Sequence, residues 1–280
     1  DGVSWRVLLQ DLELAYRQSV EGREIVLPAK SSSVKDWALA LQAYTATLDD
    51  EMSHWRALAD ASASMPCARS DGDNTLKHQQ SIELRLDRAT TQALLKQAPA
   101  AYRTQVNDLL LTALGRTLCT SSGQTRVLVD LEGHGREDLF SHIDLSRTVG
   151  WLTALFPVAL EPTGDIGSGI QRVKESLRAI PNKGLGYGVL RHMGTAEQQA
   201  ALQVLPKAQV VFNYLGQFDG DFGDDALWAP AQEKGGAQVD ADAVDVDRRV
   251  EIEHGRVDLS VAQDRHLCVR PHHVPLERFH

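Results

Sequence analysis

The stretch Thr125-Arg126-Val127-Leu128-Val129-Asp130-Leu131-Glu132-Gly133-His134-Gly135-Arg136-Glu137 decides how the chain is built. Its apolar run, Arg126 to Leu131, reads as a strand that delivers a carboxylate into a turn where two glycines flank a histidine. In strict alternation Val127, Val129 and Leu131 share one face, and Leu128, Asp130 and Glu132 share the other. Glu132 therefore leaves the strand opposite the main apolar row, toward a cavity or solvent. Glycine on both sides of His134 lets backbone or a ligand approach without a Cβ in the way.

Working outward, Asp144 to Pro157 is polar at its start and apolar at its end. A second strand, Gln209 to Phe212, runs into Asn213-Tyr214-Leu215-Gly216 and repeats the arrangement at Glu132: apolar strand, polar residues, glycine. Alternation at Ile82, Leu84 and Leu86 predicts a half-buried strand, and Val257, Leu259 and Val261 predict another. Helical spacing groups Trp5, Leu8, Leu9, Leu12, Ala15 and Tyr16 on one buried face, with Asp1 or Ser4 as cap. Ser33 three residues before Asp36 starts a second helix, with Val34, Trp37, Ala38, Leu41, Tyr44 and Leu48 facing inward.

Further helices are expected over Ala93 to Lys96, ending before Pro99, over Thr104 to Leu118, and from Ile166 to Ile180, where Pro181 ends the run. Three alternate glycines, Gly184, Gly186 and Gly188, fit close approach of backbone to a neighbouring element or ligand. Residues 21–30, 60–74 and 220–247 read as loops. All five tryptophans, Trp5, Trp37, Trp55, Trp151 and Trp228, read as core or turn anchors. Strands and helices alternate irregularly, so the class is α/β or α+β with mixed sheets.

With 280 residues, 42% of them hydrophobic, the chain can bury a sizeable core in one large domain or two lobes. A net charge of -9 argues against nucleic acid as a partner. Cys67, Cys119 and Cys268 are widely spaced and odd in number, so neither a disulfide framework nor a zinc site is indicated. No run is long and apolar enough for a membrane span, and no signal peptide opens the chain, so a cytoplasmic location is expected. The chain opens at Asp1-Gly2 without methionine, as if cut from a longer polypeptide.

Glu132 at a strand end suits a general base or acid; the alternative is an ion pair with Arg136 or Arg147. Asn213 and Tyr214 can polarise a carbonyl or donate to an enolate, or serve as structural hydrogen-bonders. For a metal, His134 with His142, or His272 with His273, are the available pairs, but no spacing completes a site. No serine sits in a nucleophile elbow, and the glycine run lacks the lysine and spacing of a phosphate loop.

Several stretches in order give the chain a closer likeness: Asp1-Gly2-Val3-Ser4-Trp5-Arg6, Asn107-Asp108-Leu109-Leu110-Leu111-Thr112-Ala113-Leu114, Glu132-Gly133-His134-Gly135-Arg136-Glu137, Ser146-Arg147-Thr148-Val149-Gly150-Trp151, Pro181-Asn182-Lys183-Gly184-Leu185-Gly186-Tyr187-Gly188 and Phe212-Asn213-Tyr214-Leu215-Gly216-Gln217-Phe218. Together they resemble the epimerization domain of nonribosomal peptide synthetases, a branch of the condensation-domain superfamily. Nearly the whole chain is covered by the resemblance.

The resemblance implies a chloramphenicol-acetyltransferase-like fold of two lobes in a V. Residues 1–90 would be the remainder of the N-terminal lobe and residues 91–280 the C-terminal lobe. It implies an isomerase that removes the α-proton of an aminoacyl or peptidyl thioester from one face and returns it on the other. The substrate would ride on the 4'-phosphopantetheine arm of an upstream peptidyl carrier protein, among other synthetase modules, with no cofactor or metal of the domain's own. Glu132 would be one acid/base group, and the other the second histidine of a His-His-x-x-x-Asp-Gly motif.

The chain starts at the Asp1-Gly2 that closes that motif, so the 280 residues alone are expected to be inactive. Asp1 would hold the histidine loop through a salt bridge to an arginine such as Arg147, with Gly2 and His134 also structural at the site. Asn213 and Tyr214 would orient the thioester or stabilise the enolate, with Tyr214 available as a proton donor. A condensation domain and a non-catalytic docking platform for a carrier protein are the competing readings. The strand pair from Val250 to Val257 resembles the family's last two strands, and the tail from His266 to His280 matches nothing recognisable.

Overall fold

The computed structural model describes residues 1–65, 79–216, 227, 248–253 and 256–262. Its centre is strand β2 (Val127–Gly133), where Val127, Leu128 and Val129 are at most 1% exposed. Burial on both faces is what a continuous aliphatic run in an interior strand requires. One flank of β2 carries β3 (Ala154–Leu160), antiparallel, and the other carries β4 (Val210–Gly216), parallel. β5 (Arg248–Glu253) follows parallel to β4, then β6 (Arg256–Ala262) and β1 (Gln79–Arg85), both antiparallel to their neighbours. The sheet runs β1-β6-β5-β4-β2-β3, so the expected mixed sheet is present.

Helices cover this sheet. α6 (Val106–Ser122) opens on a capping box between Gln105 and Asp108 and packs on α7 (Ile166–Arg178), β2 and β3. Gly115 permits the contact: a Cβ there would lie 3.0 Å from Leu160 Cβ. α8 (Leu185–Met193) packs on β3 and on α9 (Ala196–Gln203). Close approach at the alternate glycines is borne out twice. A Cβ at Gly184 would stand 2.2 Å from the Phe156 ring, and one at Gly186 would stand 2.1 Å from a Glu51 carboxylate oxygen. Gly188 has nothing within 4 Å.

Trp55, in α3 (Met52–Arg56), is wholly buried and packs edge-on to Tyr187 at 5.1 Å. Leu48, Leu111, Leu128, Leu160 and Leu190 complete this core, each side chain contributing about 1.5–3 kcal/mol on full burial. A smaller core joins Trp37 of α2 (Val34–Tyr44) to Leu145, Leu152 and Leu185. The Ser33–Asp36 capping box forms as expected.

Other expectations are corrected. α1 (Gly2–Val20) is capped by Asp1 but turns its apolar stripe outward: Trp5 is 64% exposed, and Leu8, Leu12 and Tyr16 are exposed as well. Its inward face is mixed: Val7 is buried beside Ser4 and Gln18, and Ser4, Asp11 and Gln18 make hydrogen bonds and an ion pair there. Periodicity identifies which residues share a face; it does not say which face is covered. Trp151, read as an anchor, is 84% exposed, and Ile82 and Leu84 of β1 are exposed rather than half-buried.

The helix expected to stop before Pro99 continues. α4 (Arg88–Gln92) runs through a π turn at Ala93–Gln97 into α5 (Ala98–Tyr102). Pro99 stands in the first turn of that new segment, where a missing N–H costs no helical bond. Residues 60–65, read as surface loop, carry buried Ala61 and Met65, and Ser62 bridges to Val127. The expected loop from Gly220 to Asp247, with its anchor Trp228, lies outside the described residues apart from Leu227, as do Cys67, Cys268 and the histidine-rich tail. Among the described residues no helix is long and apolar enough to cross a membrane.

Candidate active site

Parallel pairing of β2 with β4 places Asp130 opposite Val211 and Leu131 opposite Phe212. One step further along both strands, Glu132 lies beside Asn213, and Asn213 Nδ2 donates to Glu132 Oε2 at 2.8 Å. On its other side Glu132 pairs with Leu155 of β3. Both polar residues are half-buried. A donor to a carboxylate favours the ionised form and fixes its orientation. The sheet therefore presents a held carboxylate at the end of its central strand, an arrangement suited to accepting a proton.

Tyr214 is not brought into this pair. It follows Asn213 along the strand and alternates to the face of Phe212, where its ring packs against the large core. Burial pushes its hydroxyl above the usual tyrosine value.

The two arginines named for Glu132 are directed elsewhere. Arg136 grips Asp1 through Nη1–Oδ2 at 2.8 Å and Nη2–Oδ1 at 3.3 Å, with both side chains 8% exposed. Arg147 instead pairs with Asp11 on α1. The expected Asp1–Arg147 bridge is thus corrected to Asp1–Arg136. The reason is local: Gly135, at φ +67, turns the chain so that Arg136 points back under the start of α1. A Cβ at Gly135 would meet the Leu152 carbonyl at 1.6 Å, so the turn is closed to other residues.

Around this pair a network forms. Asp1 accepts from the backbone N–H groups of Ser4 (2.8 Å) and Leu152 (3.1 Å). Arg136 also donates to Ser4 Oγ and to the Thr148 carbonyl, and Ser4 Oγ donates to the Gly150 carbonyl. Gly2 is the first residue of α1 above it. Burial lowers the Arg136 pKa from its ordinary value.

His134 Nδ1 accepts from the Arg136 backbone N–H at 2.9 Å, and its Nε2 lies 3.5 Å from Glu137, whose other oxygen meets Lys183 Nζ at 2.6 Å. His142, its possible metal partner, sits beside the Phe140 ring instead. Spacing could not reveal the Asp1–Arg136 and Glu137–Lys183 contacts, which join distant segments. The signal for the first was Gly135, and the glycine run flags the second. Glu51 and Tyr44 are a further pair that spacing missed: both receive Asn182 Nδ2, at 2.7 and 2.8 Å, and this anchors the approach to α8.

Known proteins share this arrangement of elements. The condensation domain family model matches residues 1–251. A linear gramicidin synthase component from Brevibacillus parabrevis is 44% identical over 245 residues, which is 85% of this chain and 5% of that protein. Surfactin synthase subunit 1 of Bacillus subtilis (strain 168) is 38% identical over 273 residues, 94% of this chain and 8% of that protein. Among solved structures, the epimerization domain from the third module of tyrocidine synthetase B superposes with a TM-score of 0.82 at 35% identity, covering 95% of this chain and 62% of that one. The chain thus spans less than two thirds of each protein it matches here, and the mixed α/β, chloramphenicol-acetyltransferase-like fold holds.

Proposed function

The chain belongs to the condensation-domain family, and on that premise we propose that it is the larger part of an epimerization domain acting on an aminoacyl or peptidyl thioester. The observation that carries this reading is the Glu132–Asn213 pair at 2.8 Å, in a chain that superposes on a solved epimerization domain. Glu132 accepts the α-proton, leaving an enolate on the thioester carbonyl. A histidine on the opposite face returns a proton to the α-carbon, and the configuration inverts. That histidine comes from a His-His-x-x-x-Asp-Gly motif whose last two residues are Asp1-Gly2; in this reading the polypeptide of which the chain is part supplies it.

Asn213 orients Glu132. Tyr214 anchors the end of β4 in the core and acts through Asn213, while Arg136, Asp1 and Gly2 hold the histidine loop's exit. The thioester arrives on the 4'-phosphopantetheine arm of an upstream peptidyl carrier protein, within a larger synthetase. Residues 1–90 and 91–280 are proposed as the two lobes' shares, and the exposed stripe of Trp5, Leu8, Leu12 and Tyr16 is where the rest of the first lobe packs.

Solvent deuterium exchange at the α-carbon of a carrier-bound L-aminoacyl thioester tests the reading. The parent polypeptide should exchange, and Glu132→Gln should abolish it; exchange that survives Glu132→Gln overturns the assignment. The family match itself favours a second reading, peptide-bond formation between two carrier-bound substrates. Amide product without α-exchange in the same assay would select it.

A further inference from the structure

The motif Pro181-Asn182-Lys183-Gly184 takes no part in the proton transfer, yet its backbone is held in an unfavourable shape. Pro181 disfavours helical backbone at Ile180, which is extended, and the next three residues, Asn182, Lys183 and Gly184, all take positive φ, at 43°, 52° and 86°. Glycine adopts this region freely and asparagine tolerates it; lysine has no such preference. Among the described residues no other two adjacent non-glycine residues are left-handed. Such backbone persists only where surrounding contacts over-determine it.

Two sets of side-chain contacts hold it. Asn182 Nδ2 donates to Glu51 Oε1 at 2.7 Å and to Tyr44 Oη at 2.8 Å. Lys183 Nζ meets Glu137 Oε2 at 2.6 Å, in the turn that follows Glu132. The lysine side chain is 75% exposed and that of Glu137 10%, so screening leaves this ion pair little to add to stability. Its effect is on geometry. The other Glu137 oxygen faces His134 Nε2 at 3.5 Å, while His134 Nδ1 accepts from the Arg136 N–H. That bond at Nδ1 leaves the proton of a neutral imidazole on Nε2, toward Glu137. Only Gly133 separates His134 from Glu132. Arg136 and Glu137 thus fasten one turn at two points, Arg136 to Asp1 and Glu137 to Lys183. Packing supplies a second link: Gly184 lies flush on the Phe156 ring, and Phe156 and Leu155 are the cross-strand partners of Leu131 and Glu132.

We propose that Lys183 and Glu137 are positioning residues for Glu132. Their ion pair ties the turn behind the carboxylate to the start of α8, and the left-handed backbone at Asn182-Lys183 is maintained to bring the ammonium there. This rests on the assignment of Glu132 as the proton acceptor.

The test pairs kinetics of the parent polypeptide with a spectroscopic readout of the 280-residue chain. Lys183→Met and Glu137→Gln should each lower kcat for α-deuterium exchange roughly tenfold, as a small misplacement of a reacting group does, with KM for the carrier-bound thioester unchanged. Lys183→Arg should recover most of the rate, and Lys183→Met combined with Glu137→Gln should be no slower than the worse single variant. Lys183→Gly separates positioning from folding: it relieves the left-handed strain, so the thermal midpoint should hold or rise while kcat still falls. A raised KM with kcat unchanged would place Lys183 at the carrier instead and overturn the proposal. Rates that merely follow the midpoint, or losses that add in the double variant, would overturn it too.

In the 280-residue chain the Asn213 side-chain amide resonances, assigned by their loss in Asn213→Ala, report on the hydrogen bond to Glu132. They should move or broaden in Lys183→Met and return in Lys183→Arg. Moved resonances without exchange by the parent polypeptide leave the positioning role standing while the epimerase reading fails. Unmoved resonances, with exchange that Glu132→Gln abolishes, overturn the positioning role and leave that reading intact.

Discussion

Asn213 Nδ2 reaches Glu132 Oε2 at 2.8 Å from a position 81 residues later in the chain. Because this bond orients the carboxylate, Asn213→Ala should slow α-deuterium exchange by the parent polypeptide roughly tenfold or more. An exchange rate unchanged in Asn213→Ala would overturn the orienting role.

Tyr214 packs on the core face, away from Glu132. Tyr214→Phe should therefore keep most of the exchange rate, whereas Tyr214→Ala should lower the unfolding midpoint through a loss of about 1–3 kcal/mol of partly buried aromatic packing. Loss of exchange in Tyr214→Phe, with the midpoint unchanged, would restore the hydroxyl as a proton donor.

Arg136 and Asp1 are both 8% exposed and grip each other at two points. Removing either alone leaves a buried charge, and Arg136→Met or Asp1→Ala should each cost about 3–5 kcal/mol in urea unfolding. The double variant should cost clearly less than the two added together. Strict additivity would show that the bridge contributes nothing.

Gly135 and Gly188 make a matched contrast. Gly135→Ala drives a Cβ into the Leu152 carbonyl at a left-handed position, and a loss of about 3 kcal/mol or more is expected. Gly188→Ala meets open space inside α8 and should gain up to about 1 kcal/mol. Thermal unfolding of the two variants settles the comparison.

Four aspartates, Asp36, Asp87, Asp144 and Asp165, have pKa values lowered first by hydrogen bonds from nearby Ser and Thr residues, Ser33, Thr90, Ser146 and Ser168. Each binds a proton less readily folded than unfolded. Their stabilisation is present in full above the ordinary aspartate value, about 3.9, and is lost as the pH falls through the lower folded values. Acid unfolding should therefore steepen below about pH 4, and Asp165→Asn should flatten it. An unchanged acid limb for Asp165→Asn would contradict that direction.

Much of the site was legible because its parts are local. The carboxylate at the end of β2, the Ser33–Asp36 cap and the tight glycines at 184 and 186 follow from alternation, capping chemistry and absent Cβ atoms. The Asp1–Arg136 bridge was not legible, because Arg136 and Arg147 are both arginines in the same segment and only the turn at Gly135 distinguishes their directions. Trp5 and Leu8 failed for a different reason. A 3.6-residue period groups side chains on a face, but α1 docks through a narrower face where Val7 is buried and Ser4, Asp11 and Gln18 find partners. Tyr214 was grouped with Asn213 by adjacency in the motif, although neighbours on a strand point apart.

The parallel pairing of β2 with β4 also sets an order of events in folding. Antiparallel β3 joins β2 after the connection through residues 134–153, but β4 returns only after β3, α7, α8 and α9 have been traversed, and long-range parallel pairing forms slowly. Glu132 can sit on a formed β2–β3 pair before Asn213 arrives. A one-residue error in the returning register would turn Asn213 away and bring the wrong face of β4 to the carboxylate. Competence of the site is thus a late report on whether the crossover closed in the correct register, and variants that slow closure should delay activity after the bulk of the secondary structure has formed.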